Sequence, residues 1–442
     1  MALADEAGQT KPKAVADAPP AAEETPAPSI LTSIPSLADA AALKKRLKDQ
    51  GFTVQSTYIG ETLGNLSGGM RQGAIYEGRL ETTLDADLEK LANLPGLTFH
   101  ADGFWIHGTG LARYYLGNLL PEDSFIEALP TVRLYELWLE QKLADGKLAL
   151  RGGLLGADSD FTTSKYALLF VNSTTGWPAI FGADMPSSGP AYPLSAMGFR
   201  ARYDATDQLA LVAAIYDGDP AGPGTNDPQQ RNPFGLNFRM RDRPLLMQEV
   251  QYKYNQDKGA AGLPGMVRFG SYQNLGNFPN ERYDAYGQPF AMTGLAPAIM
   301  SGDYGVYAVL DQQVFAAQGD PTKGVGVFAR VFGSPGDRNQ VDFYCDAGVN
   351  VSGLTAGRPD DIFGVSVAYG HISNVARNAA KDAGFSPLPD YESLIEVTYQ
   401  AQIVTGWTLQ PVAQYVVNPG AHLNGTNYHN ATVIGLRTTL TF

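Results

Sequence analysis

The chain has 442 residues and a formal net charge of −13, with 44% hydrophobic but only 17% charged residues, where roughly a quarter is usual in soluble proteins. Its longest apolar run is the eight residues Leu209 to Tyr216, far short of the about 20 that a transmembrane helix needs. The acidic balance without a basic block excludes nucleic acid as a partner, and one cysteine with five scattered histidines leaves no internal disulfide and no metal-ligand spacing.

The first 35 residues hold six prolines, five acids and two lysines and almost nothing large and apolar. Such a segment buries too little surface to offset its ordering entropy, so disorder is expected over 1–35. It also lacks the basic-then-apolar pattern of a secretory signal, so an exported chain would be numbered after removal of one. A helix follows over 36–51, with Ser36 as N-cap, Asp39 in its first turn, Leu43 and Leu47 on one face and Gly51 as its stop. Its Lys44, Lys45, Arg46 and Lys48 suit the negative end of the helix dipole and read as a solvated basic face on a helix that caps the first strand.

From Phe52 onward the period becomes two. Between Ile75 and Leu84, Glu77, Arg79, Glu81 and Thr83 share one parity with Ile75, against Tyr76, Gly78, Leu80, Thr82 and Leu84 on the other. Because side chains alternate across a strand, one face is mostly polar and the other mostly apolar. The split recurs from Met197 to Asp204 and from Leu394 to Ile403, and segments of this kind begin near residues 52, 74, 97, 131, 146, 196, 208, 245, 265, 303, 323, 341, 361, 391, 406 and 432. Sixteen strands result. Connections alternate in length: the odd ones run to about 13, 21, 39, 28, 29, 8, 19 and 15 residues, while the even ones are tight, as at Ala144-Asp145-Gly146 and Thr405-Gly406. Long loops at one end, short turns at the other, an even strand number and a polar/apolar dyad describe a sixteen-stranded antiparallel transmembrane β-barrel. A sheet in lipid has to close, since an open edge would leave backbone groups unpaired. The last segment ends its alternation on Phe442, with Ile434, Leu436, Thr438 and Leu440 outward and Gly435, Arg437, Thr439 and Thr441 inward. Tyr252, Tyr254, Tyr399, Trp407 and Tyr415 fall near segment ends, where interfacial aromatic girdles form.

Four blocks in order, GAIYEGRLETTLDADLEKLANLPG, IEALPTVRLYELWLEQKLADGKLALRGGLLGADSDF, LFVNSTTGWPAIFGADMPSSGPAYPLSAMGFRARY and IYDGDPAG, with the later VDFYCDAGV and the terminal strand, resemble the carbohydrate-selective porin (OprB) family over about residues 52 to 442. The Gly-Asp-Trp-Gly-Gly-like element usual beside the family's N-terminal helix is missing, since the helix here reads LADAAALKKRLKDQ, and no role is carried over for it. The resemblance implies a Gram-negative outer-membrane channel for passive diffusion of monosaccharides such as glucose and small polyols, narrowed by infolded loops. Its partners would be small sugars, outer-membrane lipid and lipopolysaccharide. Both termini would be periplasmic, with no cofactor, no metal and no enzymatic activity, and the chain would be a monomer or a homotrimer.

Sugars are held by charged and amide groups on their hydroxyls and by aromatic rings on their C–H face. Inward parity supplies Glu77, Arg79 and Glu81, then Glu136, Trp138, Glu140 and Lys142, then Arg151, then Arg200 and Arg202. These cluster in the first half of the barrel against the loop from about Ala157 to Ser195, which carries Trp177, Phe181 and Tyr192. The loop is expected to fold into the lumen and, with Glu77, Arg79, Glu81, Glu136, Trp138, Glu140, Arg151, Trp177, Arg200 and Arg202, to form the constriction. The plainer alternative is that these charges solvate a polar lumen by pairing across strands. A glycosidase pair at Glu136 and Glu140 is excluded, because residues four apart on a strand stand about 13 Å from one another, too far for either mechanism. Cys345 shares the outward parity of Val341, Phe343 and Val349 and reads as a small lipid-facing residue. Arg79, Arg151, Arg200 and Arg202 also keep open a general or anion-preferring porin of the same fold, and a secreted β-rich binding protein is the remaining alternative.

Overall fold

The computed structural model describes residues 29–121, 126–257 and 259–442. The segment expected to be disordered lies outside the described residues as far as residue 28. Its last part is ordered: Ile30 and Leu31 are buried in a 3-10 turn, and Ser33 Oγ donates to the Thr405 carbonyl at 2.8 Å. Gly406, at φ +82°, makes this docking possible, since the Ile30 backbone passes where a Cβ would stand. The helix, α1, spans Ala38–Asp49 with Leu37 rather than Ser36 at its N-cap. Pro35 opens a 3-10 turn over Pro35–Leu37 that runs straight into α1, which places Ser36 inside the turn instead of at the cap. Lys44 Nζ reaches the backbone carbonyl of Phe442 at 2.5 Å, so α1 sits against the end of the last strand.

Sixteen antiparallel strands close into one barrel in which β1 pairs with both β2 and β16. In order they are β1 (Phe52–Ser67), β2 (Gly73–Asp87), β3 (Leu97–Gly108), β4 (Thr131–Leu143), β5 (Leu148–Leu155), β6 (Ala196–Asp204), β7 (Leu209–Tyr216) and β8 (Leu245–Tyr254). The second half comprises β9 (Gly265–Asp284), β10 (Pro297–Ala317), β11 (Asp320–Gly333), β12 (Val341–Ser352), β13 (Ile362–Ile372), β14 (Tyr391–Val404), β15 (Trp407–Val417) and β16 (Ala431–Thr441). Burial is inverted relative to a soluble sheet: Arg268 is 7% exposed and its neighbour Phe269 62%. Apolar side chains therefore face outward into what must be lipid, and polar ones face the lumen. Cys345 is on the outward side, level with Val331 and Tyr369 on the flanking strands.

Two connections are shorter than their composition suggests. The ninth, expected at about 29 residues, covers only 285–296, because β9 and β10 continue as a paired hairpin of 20 and 21 residues. The stretch Asn274 to Asn280 is rich in Asn, Gly and Pro and reads as loop, yet its ladder to β10 persists. The first connection shrinks to 68–72 for the same reason, β1 running on to Ser67. By contrast β5, β6 and β7 have only eight or nine residues, at the low end of what spans a membrane. Above the end of β5 the free edge of β4 is covered by the β7–β8 loop, whose Phe234 carbonyl accepts from Leu134 N at 3.0 Å. Phe234, Leu236, Phe238 and Met240 of that loop are exposed, extending the apolar outer surface there.

Candidate solute pathway

The β5–β6 connection, residues 156–195, enters the lumen and crosses it. Its first residues are held on the near wall, where Glu136 accepts from Gly156 N at 2.8 Å and Tyr135 OH donates to Asp158 Oδ1 at 2.5 Å. Its middle is held on the far wall. Glu249 of β8 accepts from Thr162 N at 3.0 Å, Asp311 of β10 from Ser164 Oγ at 2.6 Å and Lys165 N at 3.2 Å, and Glu396 of β14 from Val171 N and Asn172 N at 2.7 and 2.9 Å. Arg330 of β11 donates to the Thr174 carbonyl at 2.7 Å while pairing with Asp346. Phe181 adds apolar contact by setting its ring edge-on to Tyr272 and Phe332 at 5.2 and 5.4 Å. Buried N–H groups of a loop without regular structure need acceptors, and the inward carboxylates of the far wall supply them.

The predicted lining residues stand mainly on the near wall. Arg79 pairs with Glu81 at 2.6 Å, and its guanidinium lies over the rings of Phe104 and Tyr192, 4.6 and 5.2 Å from their centroids. Since Tyr192 belongs to the loop and Arg79 to β2, wall and loop meet here as expected. Lower down, Arg151 and Arg200 share Glu140 and Asp160 in a four-membered ion cluster, with Arg151 to Glu140 at 3.0 Å and Arg200 to Asp160 at 3.1 Å. Arg202 pairs with Asp204 at 2.9 Å and donates to Gln251. Glu77 is buried opposite Gly108 of β3. Lys142 is exposed at the short-turn rim and joins none of these clusters among the described residues.

Trp138 and Trp177 differ. The Trp138 indole is stacked with His100 at 4.5 Å and lies under the Arg151 guanidinium at 3.9 Å, while its N–H donates to Glu136 at 2.9 Å. With neighbours from β3 and β5 on its ring, Trp138 braces the wall rather than offering a face to a solute. Trp177 donates to the Ser188 carbonyl at 3.0 Å and packs on Phe181 at 4.8 Å. It lines, with Tyr192, Asp158, Asn118 and Gln229, a cavity of about 560 Å³ on the long-loop side. Burial raises the Asp158 carboxyl above the ordinary carboxylate range, opposed by its bonds from Tyr135 and Tyr192.

Charge is not confined to the first half of the barrel. Arg268 with Asp311 and Arg330 with Asp346 line the second half together with Glu392 and Glu396, Arg437 of β16 pairs with Glu61 of β1 across the closing seam, and Glu249 stands on β8 at the boundary. All have inward parity, so the alternation that located Arg79 could have located these. Arg133 escapes that rule. A bulge at Tyr135, where Asp102 pairs with Glu136 but Gly103 with Leu134, reverses parity along β4 and turns Arg133 inward at 1% exposure. No cluster of side chains suited to a metal ion occurs among the described residues.

Comparison with known proteins agrees with this architecture. Residues 71–442 match the model of the carbohydrate-selective porin, OprB family. Porin B of Pseudomonas aeruginosa is 25% identical over 426 residues, covering 91% of this chain and 90% of that protein. The high-pH structure of Pseudomonas putida OprB superposes with a TM-score of 0.82 at 25% identity, over 91% of this chain and 97% of that one. The low-pH structure of the same protein gives 0.56 at 19% identity, over 91% of this chain and 97% of that one. The chain belongs to the carbohydrate-selective porin family and is a sugar-selective channel of the outer membrane.

Proposed function

We propose that this family member passes monosaccharides such as glucose, and small polyols, singly and down their gradient, and that its constriction lies where Arg79 meets the infolded loop. The observation that carries the reading is the loop's crossing of the lumen, which leaves a cavity of about 560 Å³ bounded by Trp177 and Tyr192. Such a volume suits a small ligand. The two rings would pack on the C–H face of a sugar, with Asn118, Gln229 and Asp158 within reach of its hydroxyls. Glu77, Arg79, Glu81, Glu136, Trp138, Glu140, Arg151, Arg200 and Arg202 form the wall that this path follows, Trp138 as a brace.

A neutral solute is favoured over an anion because the arginines of the predicted wall are matched: Arg151 and Arg200 share Glu140 and Asp160, Arg79 has Glu81 and Arg202 has Asp204. Paired charges leave little net field to select anions. Residues 52–442 would form the lipid-embedded unit, its outer band in contact with membrane lipid and lipopolysaccharide. The short-turn rim, where α1 lies against Phe442, would face the periplasm with both termini. Liposome swelling with glucose, a disaccharide and an amino acid tests the reading: glucose should enter fastest. A planar-bilayer reversal potential showing strong anion preference, with no glucose block of the current, would overturn it.

A further inference from the structure

At the short-turn end the lumen holds a second cavity, of about 680 Å³, that the constriction does not include. Its roof is the deepest stretch of the infolded loop, Lys165 to Leu169, and its walls are the last inward residues of β10 to β14. The chemistry differs from that of the charged wall above. Four side-chain amides, Gln313, Asn350, Gln400 and Gln402, converge on it, with Tyr166 and the exposed Leu168 as the apolar side. Of its cations, Lys323 is tied to Asp360 at 2.6 Å, and Lys165 lies 5.2 Å over the Tyr166 ring.

An amide offers a donor and an acceptor without net charge, the complement of a hydroxyl. Asn350 is 8% exposed and donates through Nδ2 to the Tyr166 carbonyl at 2.8 Å, while its Oδ1 receives no hydrogen bond from the described residues. A buried amide oxygen in that state favours an O–H, and since it is sealed beneath the loop, a solute would pair with it once the adjoining Tyr166 segment shifts slightly. Gln313 is turned differently, its Nε2 spent on the Pro321 and Lys323 carbonyls, which fixes its amide plane at the cavity edge.

We propose that this cavity is a second sugar subsite, which takes a neutral polyhydroxylated solute at the short-turn mouth, below the loop. The proposal rests on the sugar-channel reading and adds to it a site on the opposite side of the loop. A solute leaving the constriction would exchange charged partners for amides, and one of trisaccharide size could enter from this mouth without passing the loop.

The test uses the full chain in a planar bilayer, its orientation set by the asymmetry of the current–voltage curve, with maltotriose added to one side at a time. Maltotriose should block ion current from the short-turn side and not from the long-loop side. Asn350→Leu and Gln400→Leu should each weaken that block about five-fold, the effect of one net hydrogen bond. Asn350→Ser, which keeps a hydroxyl acceptor, should weaken it less, and heat-modifiable gel migration verifies that each variant is folded. Equal block from both sides, no block from the short-turn side, or block unchanged in both leucine variants overturns the proposal. Block by gluconate but not by maltotriose also overturns it, by making the site one for anions. Failure of glucose to block the wild-type channel from the long-loop side is a different result, which removes the sugar-channel reading beneath it.

Discussion

Both sides of the lumen carry buried inward charges and use them differently. On the β2–β6 side the carboxylates Glu81 and Glu140 pair with arginines of the wall itself, and Arg79 and Arg151 lie over aromatic rings. Across the barrel Glu249, Asp311 and Glu396 give their lone pairs to backbone N–H groups of the crossing loop. Polarity needed to solvate a channel thus serves on one side to shape an open path and on the other to fasten the element that narrows it. The middle of the loop lies far from its own strands because the acceptors for its N–H groups are there.

If the far wall fastens the loop, cutting the fastening should have the largest effect. Asp311→Ala with Glu396→Ala strips acceptors from at least four loop donors. Single-channel conductance should rise several-fold and glucose block vanish, and each substitution should cost about 3 kcal/mol in urea unfolding, as expected for buried N–H groups that lose charged acceptors. Conductance unchanged in the double variant would mean the loop is held by apolar packing through Phe181 instead. Next in size, Arg79→Ala and Trp177→Ala should raise conductance and weaken glucose block, and unchanged current in both removes them from the constriction.

A smaller effect would sharpen the picture of the near wall. Glu140→Gln leaves Arg151 and Arg200 with Asp160 alone, so the reversal potential in a salt gradient should move toward anions. No movement would show that the ion cluster lies off the conducting path. Smallest is the pH dependence contributed by loop carboxyls. Burial raises Asp158 and Asp184 above the ordinary range, so the folded state holds their protons more tightly than the unfolded chain. Their stabilising contribution is complete below the unfolded value, about 4, and is lost as pH rises through the raised folded value. Urea midpoints should therefore gain from this term as pH falls toward about 4, and Asp158→Asn with Asp184→Asn should flatten that gain.

Strand number, closure, the end at which long loops lie and the outward position of Cys345 were all legible in the sequence, as was the infolding of the loop that carries Trp177. Alternation is a covalent property of extended backbone, so local reading suffices for it. The reading broke at Arg133, where one bulge reverses parity, and at β9 and β10, where Asn- and Gly-rich residues stay paired. It broke again at Ser36, displaced from the helix cap by the turn that Pro35 begins.

By itself, then, the sequence determined which side chains face the lumen and that a barrel must close around them. Only the tertiary structure decided which of those side chains meet. Val171 finds Glu396 across 225 residues of chain, Trp138 has its ring taken up by His100 and Arg151, and amides from three separate strands share one cavity under the loop. Those meetings depend on how far the loop reaches across a closed cylinder, a distance set by all sixteen strands together and by no local pattern.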